Sequence, residues 1–130
     1  MNEATCKAAL CKLLRATLPG AVVYRHEDQF TAGIPDISVT WRGRTVWVEV
    51  KLDRPGRRAV VTAAQALALR QLEGMLVTYG IARDGSYWVR VQDGGFDCVY
   101  PYAQGARRNS FNHVAVVGRI SDAVQRQRGA

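Results

Sequence analysis

Between residues 2 and 18 the apolar positions Cys6, Leu10, Leu13, Leu14 and Leu18 recur at three- and four-residue steps, with Lys7, Lys12 and Arg15 between them. That period predicts an amphipathic helix, ended by Pro19-Gly20. Residues 21–25 are β-branched and aromatic, which predicts a short strand running into a polar stretch over 26–31. Beyond Gly33 the pattern changes to strict alternation. Ile37, Val39 and Trp41 alternate with Asp36, Ser38 and Thr40, and Val46, Val48 and Val50 alternate with Thr45, Trp47, Glu49 and Lys51. Two strands joined by a tight turn at Arg42-Gly43 follow from this.

Residues 62–73 read as a second helix, with Thr62 and Gln65 spaced as a capping box and Gly74 just past the end. Residues 75–83 and 87–91 flank Asp84-Gly85 and predict a further hairpin. A short strand over 98–102, a loop over 104–110 and a closing helix over 111–128 complete the chain, although Gly118 and the valines around it weaken the last helix. The order is helix, three strands, helix, two strands and a tail. It predicts an α/β fold, a mixed sheet of about four to six strands flanked by helices. All 130 residues fit one domain.

The hairpin allows a register to be worked out. A two-residue loop at Arg42-Gly43 pairs residues whose numbers sum to 85, so Asp36 falls opposite Glu49, with Ile37 facing Val48 and Val39 facing Val46. One face of the hairpin is then aliphatic, and the other holds both carboxylates and Lys51. Directly opposed side chains have Cβ atoms about 4.5–5.5 Å apart. Two carboxylates at that distance call for a positive charge between them, and a hard divalent cation with oxygen ligands is the natural choice. Against a two-residue loop stands Arg42, which resists a positive φ; a three-residue loop would shift Asp36 to a diagonal of Glu49. The plain alternative is a surface Asp and an ordinary Glu/Lys strand face.

Composition adds a partner. Eighteen basic residues against eleven acidic ones give a net charge of +7, and fifteen of the eighteen are Arg. The planar guanidinium fork suits phosphate, so this excess points toward nucleic acid, a solvated basic surface being the other reading. Arg54, Arg57 and Arg58 follow the Glu-x-Lys strand directly and are placed to grip phosphates; Arg107 and Arg108 form a second basic cluster. Trp41, Trp47, Tyr87 and Trp88 suit either base stacking or sheet packing. His26 in a polar loop is assigned a structural or exposed place, and Asp28 and Asp53 are read as loop residues. Cys6, Cys11 and Cys98 show neither disulfide nor zinc spacing, which fits a reducing cytoplasm. The start of the chain lacks a signal-peptide pattern, and no apolar run is long enough for a membrane span.

The string GIPDISVTWRGRTVWVEVK resembles the PD-(D/E)XK nuclease core, with Pro35-Asp36 opening one strand and Glu49-Val50-Lys51 on the next. The Gly-Ile-Pro-Asp form, followed by a helix that opens with Gln65, looks most like the VRR-NUC (virus-type replication-repair nuclease) branch, related to Holliday junction resolvases. The resemblance covers about residues 3 to 80. It implies a restriction-endonuclease-like core in which Asp36, Glu49 and the backbone carbonyl of Val50 bind Mg²⁺ or Mn²⁺, and Lys51 positions the attacking water or stabilises developing charge. Family members often add an acid from the first helix, where Glu3 is the only one; Glu3 equally favours the helix dipole. Gln65 is implied as a further site residue, beside its capping role.

The implied activity is that of a metal-dependent DNA endonuclease acting on branched, flapped or otherwise distorted duplex in phage or bacterial repair, recombination or replication. A homodimer is expected because symmetric incision of a junction needs two sites in one assembly. The rivals are a sequence-specific restriction-type nuclease on the same core, a non-hydrolytic nucleic-acid-binding accessory protein, and a basic protein-binding module.

Overall fold

The computed structural model describes residues 1–27 and 33–126. The chain runs α1 (Glu3–Thr17), β1 (Val22–Arg25), β2 (Ile37–Trp41), β3 (Arg44–Asp53), α2 (Ala63–Gln71), β4 (Met75–Ile81), β5 (Tyr87–Asp93), β6 (Phe96–Pro101) and α3 (His113–Gln125). The expected α/β class is observed, with three helices and a six-stranded mixed sheet in the order β1-β2-β3-β4-β5-β6. Only β3 and β4 are parallel neighbours, and α2 makes the crossover between them. Asp28 and residues 127–128 of the expected closing helix lie outside the described residues. Among the described residues no helix is long and apolar enough to cross a membrane.

One face of the sheet is the core. Ile37, Val39, Val46, Val48, Val50 and Leu52 share it with Met75, Val77, Tyr79, Val89 and Val91 across the register. Leu10, Cys11 and Leu14 of α1 close over them, as do Val116, Val117, Ile120 and Val124 of α3. The opposite face carries the alternate positions, polar at Thr40, Glu49, Lys51, Thr78, Arg90 and Gln92 and apolar at the exposed Val22, Tyr24 and Val99. α2 lies against it through Gln65 and has no buried residue of its own.

The β2–β3 ladder has the register expected from the alternation, Ile37 opposite Val48 through Trp41 opposite Arg44. Its two-residue turn places both Arg42 (φ 51°) and Gly43 (φ 78°) in the left-handed region. The Arg42 guanidinium lies 4.3 Å from the Trp41 ring centroid, a cation–π contact that offsets the strain of a left-handed Arg.

At the end of α2 the left-handed residue is Glu73 (φ 51°), not Gly74 as the usual helix stop suggests. Gly74 donates to the Leu69 carbonyl at 2.7 Å. Its missing Cβ is needed for space, since that atom would stand 2.8 Å from Leu69 and 3.2 Å from the Trp47 carbonyl. Other boundaries shift as well: β4 ends at Ile81 rather than 83 and β5 runs on to Asp93 rather than 91. β6 starts at Phe96 rather than 98, α3 at His113 rather than 111, and Asp53 belongs to β3 instead of a loop.

Candidate functional site: a carboxylate pair at an open strand edge

β2 starts opposite Val48, but β3 continues to Asp53. Among the described residues no strand pairs with the last five residues of β3 on that side. Their outward backbone groups are met by carboxylates instead. The Val50 N–H donates to Asp36 Oδ2 at 2.8 Å, and the Leu52 N–H donates to Glu3 Oε1 at 3.3 Å. A strand residue's N–H and C=O point the same way, so the Val50 carbonyl also faces the open edge beside Asp36.

Asp36 follows Pro35 just before β2, and its carbonyl accepts from the His26 N–H at 2.7 Å, which extends the pairing of β1 and β2 by one step. Opposite stands Glu49, only 2% exposed. Its Oε1 accepts from Gln65 Nε2 at 3.4 Å. Its Oε2 is buried without a donor, the one carboxylate oxygen so left among the described residues, while the Asp36 carboxyl lies within hydrogen-bonding reach. Burial, followed by the hydrogen bond to Asp36 and its charge, pushes Glu49 up to about 8; Lys51 and Lys7 oppose that shift. Burial also works against the charge of Asp36, but hydrogen bonds from Glu49, the Val50 N–H and Lys7 outweigh it and hold Asp36 below the usual carboxylate range. One proton is thus shared between a neutral Glu49 and a charged Asp36.

Gln65 serves two partners at once. Its Oε1 accepts from the Thr62 N–H at 3.0 Å, the Thr62 hydroxyl accepts from the Gln65 N–H at 3.2 Å, and the same side-chain amide points Nε2 at Glu49. The capping box therefore fixes the amide that touches the buried acid. Lys51 stands two residues along β3 on the face of Glu49, partly exposed and near enough for its charge to favour the ionised carboxylate.

Glu3 shares the open edge but does not join the pair. Among the described residues no three His, Cys, Asp or Glu side chains gather as a metal-holding group. The oxygen donors at hand are the Asp36 and Glu49 carboxylates with the Val50 carbonyl, a set whose chemistry suits a hard divalent cation. A cation there would take the place of the proton that the Glu49–Asp36 pair holds and meet the buried Glu49 Oε2, which accepts no hydrogen bond.

The basic residues divide. Arg58 pairs with Asp53 at 3.1 Å, and Arg108 with Asp84 at 2.9 Å. Arg54 and Arg57 close a tight turn through paired backbone hydrogen bonds at the end of β3, on the same side as the open edge. Arg107 is exposed in the loop before α3. His26 stays outside the carboxylate pair, its Nε2 2.7 Å from Ser38 Oγ and its ring 5.1 Å from that of Trp47.

One residue escapes sequence reading. The Lys7 ammonium reaches round the open edge from α1 and lies 2.9 Å from Asp36 Oδ1. The available signal is the stripe Glu3, Lys7, Leu10 and Leu14, which continues the buried face of α1 to its first turn with one acid and one base. Neither a scan against protein-family models nor a search of curated proteins finds a match for the chain.

Proposed function

We propose that the protein is a metal-dependent nuclease that hydrolyses phosphodiester bonds in DNA, with branched, flapped or junction DNA as its substrate and a restriction-endonuclease-like core as its frame. The observation that carries this reading is the buried Glu49 carboxyl, whose Oε2 accepts no hydrogen bond, within hydrogen-bonding reach of an Asp36 that caps the Val50 N–H. Such an arrangement wants a cation, and the Pro-Asp and Glu-x-Lys spacing that creates it is that of the resemblance.

Asp36, Glu49 and the Val50 carbonyl would hold Mg²⁺ or Mn²⁺, which supplies Lewis-acid stabilisation of charge on a scissile phosphate. The chain's own residues do the rest. Lys51, two residues from Glu49 on the same strand face, would offer three donors to developing negative charge or to an incoming water. Gln65 orients the Glu49 carboxyl, and its own amide cannot turn because the helix cap holds it. Arg54, Arg57 and the exposed Arg107 supply sequence-independent contacts to the backbone, which suits a protein that recognises shape. A homodimer would set two such sites for paired incision.

The test is cleavage of labelled duplex, flap, single-stranded and four-way-junction DNA in Mg²⁺, Mn²⁺ or EDTA, with Asp36→Asn in parallel. Metal-dependent cutting that the variant loses is the expected result. Binding without cutting under every metal refutes the nuclease and favours a nucleic-acid-binding accessory protein.

A further inference from the structure

Next to the carboxylates lies a second concavity. Glu3 and Lys7 from α1 face Arg54 and Arg57 from the turn after β3, around a cavity of about 430 Å³ with Leu52 in its wall. Two of the three cations in its wall, Arg54 and Arg57, have no carboxylate partner among the described residues, the third, Lys7, is held by Asp36, and the one acid, Glu3, is engaged by the Leu52 N–H. The neighbouring Arg58 is neutralised by Asp53. Like charges gathered in a concave wall repel unless an anion fills it, and low-dielectric walls concentrate their field on such an anion.

Lys7 belongs to both places. It lines the cavity, and its ammonium holds Asp36 at 2.9 Å. A lysine head carries three donors on a flexible four-carbon stem, so it can exchange one oxygen for another without movement of the helix. Resting on the nuclease reading, we infer that the cavity seats a backbone phosphate adjoining the one cleaved, and that Lys7 is a positioning residue that links the two seats. Without a divalent cation Lys7 neutralises Asp36. When a cation takes Asp36, the ammonium turns into the cavity and joins Arg54 and Arg57 on the phosphate. The coupling is reciprocal: a phosphate that draws Lys7 away from Asp36 opens the cation seat by the same factor.

A double-mutant cycle in EDTA tests this without any cleavage. The affinity of a short labelled DNA duplex is measured by fluorescence anisotropy for the wild type, Lys7→Met, Asp36→Asn and the double variant. In the wild-type background Lys7→Met changes the affinity less than twofold, because Asp36 holds the ammonium; in the Asp36→Asn background the same change weakens binding about tenfold, the loss of one charge-assisted contact. Lys7→Gln gives the same pattern and guards against a folding defect peculiar to Met. Equal effects of Lys7→Met in both backgrounds overturn the exchange. An Arg57→Ala variant that binds as the wild type does overturns the phosphate seat. Calorimetry with Mn²⁺ alone supplies the other arm, in which Lys7→Met binds the ion about tenfold more tightly because no ammonium has to be displaced. Unchanged or weaker affinity overturns the exchange. Absence of Mn²⁺ binding in both proteins overturns the cation seat and the exchange together, while the duplex measurements still decide the phosphate seat by themselves.

Discussion

Replacing Glu49 by glutamine stabilises the metal-free protein near neutral pH, although the side chain is buried and sits at the centre of the candidate site. The reason lies in the proton. Glu49 stands at about 8 in the folded chain against an ordinary 4.5, so between these values the folded state binds more protons than the unfolded one. Stability from this group is complete below 4.5 and is lost as pH rises through 8. At pH 7, two and a half units above the ordinary value, retention of a neutral carboxyl costs about 3 kcal/mol at roughly 1.4 kcal/mol per unit. Glutamine is neutral in both states and avoids that cost. Its oxygen still accepts from Gln65, and its amide donates to Asp36 where the Glu49 proton did.

The expected outcome in EDTA at pH 7 is a variant more stable by up to about 3 kcal/mol, or roughly 10 °C in Tm at about 4 °C per kcal/mol for a chain of this size. The difference narrows to under about 1 kcal/mol by pH 5 and widens toward pH 8. Mn²⁺ raises the wild-type Tm, more so at pH 8 than at pH 6 because the proton must leave, and does little for Glu49→Gln. Differential scanning calorimetry across pH 5–8.5 with EDTA or Mn²⁺ measures both effects. A wild type whose Tm does not fall relative to the variant as pH rises would refute the reasoning.

Further predictions rest on other parts of the molecule. Thr62→Ala removes half of the capping box and costs about 1 kcal/mol in urea titration; if the α2 cap orients Gln65, cleavage falls as well, and unaltered cleavage would separate the two roles. Gly80→Ala places a Cβ against the Trp88 ring, so the indole must move; roughly 1–3 kcal/mol is lost with a changed Trp fluorescence, and an unperturbed spectrum contradicts the contact. Burial holds His113 below its usual value while its Nδ1 lies 2.9 Å from the Tyr79 hydroxyl, so its contribution is full above pH 6.5 and is lost as pH falls below it; Tm measured from pH 7.5 to 5 declines less in His113→Gln. Arg57→Ala lowers the salt dependence of DNA binding by about one unit of slope, whereas Arg58→Ala, whose guanidinium is already paired with Asp53, changes it less.

The hairpin faces were legible because a period-two pattern buried on one side excludes one-residue slips; the turn was not, since the positive φ that Arg42 resists argued for a three-residue loop, and the structure has the two-residue turn with Arg42 left-handed. The capping box at Thr62 and Gln65 and the seam of α1 were legible for similar reasons, each being set by residues three or four apart. What stayed hidden depends on distance along the chain. Nothing local ties Lys7 to Asp36, which meet only because α1 packs beside an edge that β2 fails to cover. Asp53 looked like a loop residue because its charge suggests solvent, yet the Ala59 N–H at 2.7 Å and Arg58 satisfy it at the end of a strand. Glu73 takes the left-handed turn that Gly74 suggested, since Gly74 is needed for the close approach to Trp47 and Leu69. That the Gln65 amide reaches both the cap and Glu49 follows from where α2 sits, which no local spacing states.

The uncovered end of β3 carries a second consequence. A bare strand edge is a template for joining chains into aggregates, and proteins blunt such edges with charge. Here the guards are Asp36 and Glu3, which occupy the Val50 and Leu52 N–H groups another molecule's strand would seek. Two acids of the candidate site thus also keep the molecules apart. Inactive variants meant for trapping complexes therefore differ in kind: Asp36→Asn retains an oxygen for the Val50 N–H, whereas Asp36→Ala uncaps the edge and yields a protein prone to precipitate at high concentration.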